Sequence, residues 1–140
     1  MATTKPCVFC SLIAAPDGTD WVLREPGVVA FLDKSPLFLG HVLVVPTTHV
    51  VTLGDLPPAD LAPYFGAVRR LTLAVQAGLG SDGVFVANNN IVSQSVPHLH
   101  FHVIPRRRGD GLRGFFWPRQ KYASDADRQS CAAKIAAALP

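Results

Sequence analysis

Three histidines at alternate positions, His98, His100 and His102, constrain this chain more than any other feature of its sequence. Successive side chains of a β-strand point to opposite faces, so we expect the three imidazoles to share one face while Leu99 and Phe101 enter a core. Apolar side chains would fill a core at a lower desolvation cost than imidazoles. Because imidazole serves as base, acid, nucleophile or metal ligand, the pattern predicts a chemical site.

Length and composition predict one globular domain. The chain has 140 residues, of which 49% are apolar and 16% are charged, so a folded domain over residues 1–140 is expected and disorder is not. No apolar run approaches the roughly 20 residues that span a bilayer, and the N-terminus lacks the apolar core of a secretory signal. The net charge of +3 is small for a nucleic-acid-binding protein. We therefore expect a cytoplasmic protein with neither a membrane nor a nucleic acid as partner.

Hydrophobic periodicity predicts an α+β fold. A long helix is expected to begin at Pro57-Pro58 and carry an apolar stripe to Leu79, and Ser124 is a plausible N-cap for a C-terminal helix. Adjacent short strands around one long helix indicate an antiparallel sheet of about five strands. The strands are predicted at residues 21–25, 28–33, 41–45, 84–87 and 97–105.

The segments that flank the histidines favour a phosphate-containing substrate. The preceding loop, residues 88–95, is rich in neutral hydrogen-bond donors, and a neutral imidazole beside them can attack a phosphoryl group. The following segment contains Arg106, Arg107 and Arg108, which would suit an anionic ligand or would simply form a solvated loop. Phe115, Phe116 and Trp117 come next and are bulky aromatic residues of the kind that fill a core. If the chain forms a dimer, they could instead cover a partner's site.

Two metal sites are compatible with the sequence. Three histidines on a strand can chelate a catalytic zinc ion. Cys7 and Cys10 form a C-x-x-C pair that needs further ligands, and His49 with one triad histidine would complete a closed Cys₂His₂ site. A redox role for C-x-x-C is less favoured, because no thioredoxin-like βαβ pattern surrounds it. The structural zinc site is preferred.

Residues 98–104 resemble the signature of the histidine-triad (HIT) family, in which three histidines alternate with apolar residues. Segments 31–36 and 40–46, followed by His49, are also similar to that family. The resemblance covers roughly residues 5–108, and residues 106–140 are a less securely matched C-terminal extension. It implies a HIT-like fold, a homodimer and a hydrolase that acts at the α-phosphate of a purine nucleotide conjugate.

The resemblance also implies roles for individual residues. His100 would attack the phosphate and form a nucleotidyl-histidine intermediate, while His102 would bind the phosphate and assist proton transfer. Asp33 would hold the ribose hydroxyls. The remaining phosphate contacts would come from Asn88, Gln94 and Ser95. His41 matches a histidine near the site, with a supporting or a purely structural role.

Zinc-containing bacterial members of the Hint-like branch supply a matching metal set. The ligands of a structural Zn²⁺ would be Cys7, Cys10, His49 and His98. In that case His98 orients its strand and takes no part in acid–base chemistry.

Two features leave alternative functions open. Ser93 occupies a position where the family usually has glycine, which keeps a nucleotide-binding regulatory module with weak or no catalysis among the candidates. Phosphorylases of the wider family often carry glutamine at the last triad position, so His102 favours hydrolysis over a dinucleoside polyphosphate phosphorylase. Short length and the zinc ligands favour phosphoramidate or adenylate substrates, whereas the arginines favour a polyphosphate.

Overall fold

The computed structural model describes residues 5–15, 17, 19–113 and 119–140. The aromatic residues Phe115, Phe116 and Trp117 lie outside this part of the chain. The chain divides into two compact units, Met1–Asp110 and Gly111–Pro140. That these two units belong to one domain over residues 1–140 stays a prediction.

Five antiparallel strands form the sheet of the first unit, in the order β1-β2-β3-β5-β4. Helix α1 (Val8–Ala14) precedes the sheet, and the long helix α2 (Pro58–Leu79) lies in the chain between the third and fourth strands. The strands are β1 (Trp21–Glu25), β2 (Val28–Leu32), β3 (Val42–Pro46), β4 (Gly83–Ala87) and β5 (Phe101–Arg106). With the C-terminal helix described below, this architecture confirms the predicted α+β class.

Alternation along the central strands gives the sheet two covered faces. One face packs on α2, whose buried stripe includes Tyr64, Val68 and Leu71. The other face packs on α1, where Phe9 joins a cluster with Phe31 and Leu43. Helix α2 begins after Pro57, as predicted, and ends at Gly80 in a left-handed conformation. The central strands β2 and β3 are therefore buried on both sides, and α1 covers the face that contains the triad imidazoles.

Strand β5 begins at Phe101, four residues later than the sequence predicts. The backbone N–H of Leu99 donates to the carbonyl of Val50 at 2.7 Å, and the residues before Phe101 make no ladder with β3. Side chains nevertheless continue to alternate: Leu99 enters the core on the α2 side, whereas Phe9 on the other side contacts His100. The imidazoles therefore alternate with core side chains as predicted, although the regular strand is shorter than predicted.

The second unit contains helix α3 (Asp125–Ala137). Ser124 caps it as predicted, since the Ser124 side chain accepts a hydrogen bond from the backbone N–H of Asp127. Among the described residues, no helix has the length and apolar character needed to cross a membrane.

Candidate functional site

Four potential metal ligands meet beside α1. Cys7 directly precedes α1, Cys10 lies in its first turn and His49 follows β3. Nδ1 of His98 lies 3.4 Å from Sγ of Cys7 and 3.6 Å from Sγ of Cys10. Nδ1 of His49 lies 3.3 Å from Sγ of Cys10 and 3.2 Å from Nδ1 of His98. The structure thus brings all four predicted ligands together, with their donor atoms within 4.8 Å of one another.

The spacing of these donors fits a tetrahedral zinc ion. Zn–S bonds of about 2.3 Å and Zn–N bonds of about 2.05 Å place sulfur and nitrogen about 3.6 Å apart and two nitrogens about 3.3 Å apart. The observed distances of 3.3–3.6 Å and 3.2 Å agree with these values. Soft thiolates with imidazoles are also the donors that zinc prefers in structural sites.

A backbone carbonyl fixes the orientation of His98. Nε2 of this buried imidazole donates to the carbonyl oxygen of Pro46 at 2.8 Å. The other ring nitrogen, Nδ1, then carries the lone pair and points to the two sulfurs. Burial lowers the pKa of His98, which also favours the neutral form that binds a metal.

His100 presents one free nitrogen because of its own backbone contact. Nδ1 of His100 donates to the carbonyl oxygen of His98 at 2.8 Å, so the lone pair of the neutral ring is on Nε2. The ring is buried, with 4% of its surface exposed, and its edge packs on Phe9 with ring centroids 5.2 Å apart. An imidazole held in this tautomer is suited to nucleophilic attack through Nε2.

His41 and His102 form a directed pair. The backbone N–H of Leu37 donates to Nδ1 of His41 at 3.1 Å, so the proton of a neutral His41 is on Nε2. Nε2 of His41 lies 2.8 Å from Nδ1 of His102 and donates to it. The proton of neutral His102 is therefore on its own Nε2. His41 thus supports the triad by holding the tautomer of its last member.

Burial keeps both members of this pair neutral near pH 7. It is the largest cause that lowers the pKa of His102 to about 4, and neighbouring His100 and His41 lower it further. Burial likewise lowers the pKa of His41, although the nearby Asp33 carboxylate opposes the change. Asp33 Oδ2 lies 3.8 Å from Nδ1 of His41, and Oδ1 accepts the backbone N–H of Ser35 at 2.8 Å.

The depressed pKa of His102 predicts a stability that depends on pH. In the unfolded chain the pKa of His102 is near 6.5, so protonation stabilises the unfolded state more than the folded state. The free energy of unfolding is therefore undiminished above pH 6.5 and decreases as the pH falls toward 4. We expect His102 to account for about 2–3 kcal/mol of the decrease in unfolding free energy over this range. Urea unfolding of wild type and His102→Gln at several pH values measures it, because glutamine does not titrate. Equal pH slopes in the two proteins would contradict the prediction.

The polar loop before the triad reaches the nucleophile through one residue. Nδ2 of half-buried Asn88 donates to the carbonyl oxygen of His100 at 2.8 Å. The carboxamide of Gln94 is held by the backbone, because it donates to the Val51 carbonyl at 2.6 Å and accepts the Ile91 N–H at 2.9 Å. Ser95 is exposed just beyond Gln94. Asn88 thus contacts the triad directly, while Gln94 fixes the loop.

Two residues of this loop adopt backbone conformations that favour glycine. Ser93 has φ 60° and Ile91 has φ 71°. A non-glycine residue in this region costs on the order of 1 kcal/mol, and a β-branched residue such as Ile91 is an outlier there. At φ 60° Ser93 occupies a conformation that glycine adopts without steric cost, which agrees with the glycine that the family resemblance leads one to expect at this position.

Two of the arginines after the triad are committed to structural contacts. Arg106 donates to both carboxylate oxygens of Asp110, at 2.6 Å and 2.9 Å. Arg107 donates to the carbonyls of Leu79 and Gly80 at the end of α2. These guanidinium groups stabilise the segment after β5, so they give little support to a polyphosphate ligand.

A cavity of about 190 Å³ lies on the α1 side of the sheet. Phe9, Leu12 and Phe31 form apolar walls of this cavity, and Asp33 is one of its polar lining residues. Phe9, which lines the cavity, also packs on the ring of His100, so one side chain contacts both the cavity and the candidate nucleophile.

The three triad imidazoles have separate partners. His98 faces the cysteines, His100 bonds to a carbonyl and His102 bonds to His41. Among the described residues, neither group of potential metal ligands contains all three. The second such group, Asp33, His41 and His102, is explained by hydrogen bonding, because the Leu37 N–H requires an acceptor at Nδ1 of His41. A catalytic ion held by the triad is not favoured.

A sequence profile described as the HIT domain matches residues 17–109, more than half of the chain. This chain belongs to the HIT family. Adenosine 5′-monophosphoramidase HNT1 of Saccharomyces cerevisiae is 33% identical over 117 residues, which cover 82% of this chain and 72% of the yeast protein. The family resemblance predicted from the triad is confirmed.

Solved HIT structures share the fold of this chain. The crystal structure of a HIT family member from Bacillus subtilis superposes with a TM-score of 0.84 at 33% identity, covering 97% of this chain and 99% of that one. A Zn-bound histidine triad protein from Mycobacterium smegmatis gives a TM-score of 0.71 at 32% identity, covering 96% of this chain and 98% of that one. The predicted HIT-like fold is thereby confirmed.

Proposed function

We propose that this protein hydrolyses a purine nucleotide conjugate at its α-phosphate through a nucleotidyl-histidine intermediate on His100. The observation that carries the proposal is the hydrogen bond from Nδ1 of His100 to the carbonyl of His98, since it leaves the Nε2 lone pair available for attack. Similarity to a yeast protein named adenosine 5′-monophosphoramidase supports hydrolysis of a nucleotide conjugate.

The proposed reaction has two displacement steps. Nε2 of His100 attacks the α-phosphorus, a P–N bond forms and the bond to the leaving group breaks. Water then attacks the same phosphorus and passes a proton to Nε2 of His102, the P–N bond breaks, and a nucleoside monophosphate is released with His100 restored. In each step the negative charge on the non-bridging oxygens needs nearby donors.

His102 is the proposed phosphate ligand and proton carrier. In the neutral ring the proton is on Nε2, because Nδ1 accepts from His41. This N–H can donate to a phosphate oxygen. A bound phosphate also raises the pKa of the ring. His102 would take up its second proton at Nδ1, for which the hydrogen bond from His41 must open, and Nε2 would then pass its own proton to the leaving group.

The cavity on the α1 side is the proposed nucleoside site. Asp33 would accept hydrogen bonds from the ribose hydroxyls, and the base would lie against the apolar walls formed by Phe31 and Leu12. Asn88 and Ser95 of the loop before the triad would donate to the phosphate. For Gln94 we propose an indirect part, because its carboxamide already bonds to Val51 and Ile91.

We further propose that Cys7, Cys10, His49 and His98 bind a structural Zn²⁺. The ion would crosslink the start of α1 to the triad segment and would add no chemistry to the reaction. Support comes from the donor distances and from the similar Zn-bound protein of M. smegmatis. A homodimer, implied by the family resemblance, stays a prediction.

Quantified product release tests the proposed reaction. Purified protein is incubated with adenosine phosphoramidate and, separately, with diadenosine polyphosphates, with and without inorganic phosphate. We expect AMP from both, faster from the phosphoramidate, because Arg106 and Arg107 are committed elsewhere. Nucleotide binding without AMP release would instead favour a regulatory module. Formation of a nucleoside diphosphate only when phosphate is present would favour a phosphorylase.

A further inference from the structure

A chain of carboxamides runs from the backbone of Leu53 to the backbone of His100. The N–H of Leu53 donates to Oδ1 of Asn90 at 2.7 Å. Nδ2 of Asn90 donates to Oδ1 of Asn88 at 2.6 Å, and Nδ2 of Asn88 donates to the carbonyl of His100 at 2.8 Å. Three hydrogen bonds thus connect the segment after His49 with the residue proposed as nucleophile.

The two ends of this chain fix its direction. Leu53 contributes a backbone N–H, which can only donate, and His100 contributes a carbonyl oxygen, which can only accept. Each carboxamide between them must therefore present its oxygen toward Leu53 and its nitrogen toward His100. Asn90 prevents a flip of the Asn88 amide, because a flipped Asn88 would set two N–H donors against each other and two oxygens against each other.

We propose that Asn90 is a positioning residue for the reaction, acting through Asn88 on the backbone of His100. The inference rests on the proposed function and extends it to a residue that makes no contact with the triad imidazoles in the described hydrogen bonds. Asn88 keeps its second amide proton for a substrate oxygen only while its nitrogen faces the triad. A correctly oriented Asn88 thus serves both the nucleophile and the phosphate.

Asn90→Asp is the sharpest test, because it preserves size but cannot donate to Asn88 when ionised. Asn89→Asp is the matched control. It adds the same charge at the neighbouring exposed position, where the side chain of Asn89 donates to the carbonyl of Ser93 at 3.3 Å and, within the described part of the chain, has no hydrogen bond to Asn88. We expect Asn90→Asp to slow formation of the nucleotidyl enzyme about tenfold in single-turnover experiments. Asn89→Asp should stay within about twofold of wild type, and Asn90→Ala, which adds no charge, should share the defect.

Side-chain amide spectra give a readout that does not need turnover. The ¹⁵N–¹H pair of Asn88, assigned from its loss in Asn88→Asp, should be protected from solvent exchange in wild type and lose protection in Asn90→Asp. Wild-type protection or a wild-type rate in Asn90→Asp would overturn the positioning role. If wild type releases no monophosphate from any nucleotide conjugate, the proposed function fails, and the amide spectra still decide whether Asn90 orients Asn88.

Discussion

His100→Ala is expected to abolish AMP release, with a fall in kcat of at least about 10³-fold, because the variant lacks the Nε2 lone pair that forms the proposed nucleotidyl intermediate. The side chain lies under Phe9, so its removal also leaves a small cavity that costs on the order of 1–2 kcal/mol. Zinc content should stay unchanged, since the ligand set does not include His100. The measurement is AMP release by wild type and variant side by side, with metal content and thermal unfolding of both.

His102→Ala is the companion variant. It removes the proposed phosphate ligand but keeps the nucleophile, so we expect a decrease of about 10²–10³-fold and a nucleotidyl enzyme that can still be trapped by acid quench. If the nucleotidyl group is found covalently bound to acid-quenched His102→Ala but not to His100→Ala, the covalent step is assigned to His100. Turnover that survives in His100→Ala would rule out the proposed mechanism.

Cys7→Ser and Cys10→Ser are expected to lose zinc and a large part of the folding stability. A structural zinc ion contributes its binding free energy to folding, about 10–16 kcal/mol in small zinc peptides. Even a fraction of that, about 3 kcal/mol or more, would unfold a domain of marginal stability at moderate temperature. Activity should fall as well, because His98 both faces the cysteines and holds Nδ1 of His100 through its carbonyl.

Cys131→Ser provides the matched control for the zinc prediction. Cys131 is an exposed thiol on α3 and belongs to neither potential ligand group. Zinc per protein, measured with a chromogenic chelator after denaturation, and the melting temperature should be unchanged in this variant. A full equivalent of zinc in Cys7→Ser, or melting at the wild-type temperature, would contradict the assignment of these ligands.

Local sequence patterns were sufficient to predict much of the fold and of the site. Alternation with a period of two placed the triad on one face even though β5 begins only at Phe101, because extended backbone on either side of a strand boundary keeps side chains alternating. The helical apolar stripe and its flanking proline and glycine predicted α2. The cysteine spacing with His49 predicted a Cys₂His₂ site completed by one triad histidine, and the family resemblance named that histidine as His98; the fold brings these four ligands together.

Other features depend on contacts between segments that are distant in the sequence. Nothing local indicates that Arg106 and Arg107 bond to Asp110 and to the end of α2, so their charge alone suggested a polyphosphate ligand. The family resemblance implies a phosphate contact for Gln94, yet its carboxamide is held by backbone atoms of Val51 and Ile91.

The sequence by itself determined which residue types gather at the site: three imidazoles on one face, two thiols with two more ligands, and a loop of carboxamides. Only the tertiary structure decided the state of each imidazole. The carbonyls of Pro46 and His98 and the N–H of Leu37 select the tautomers of His98, His100 and His41. A tautomer depends on where a backbone donor or acceptor lies within about 3 Å. Because every residue carries the same backbone groups, their positions follow from packing and not from side-chain identity.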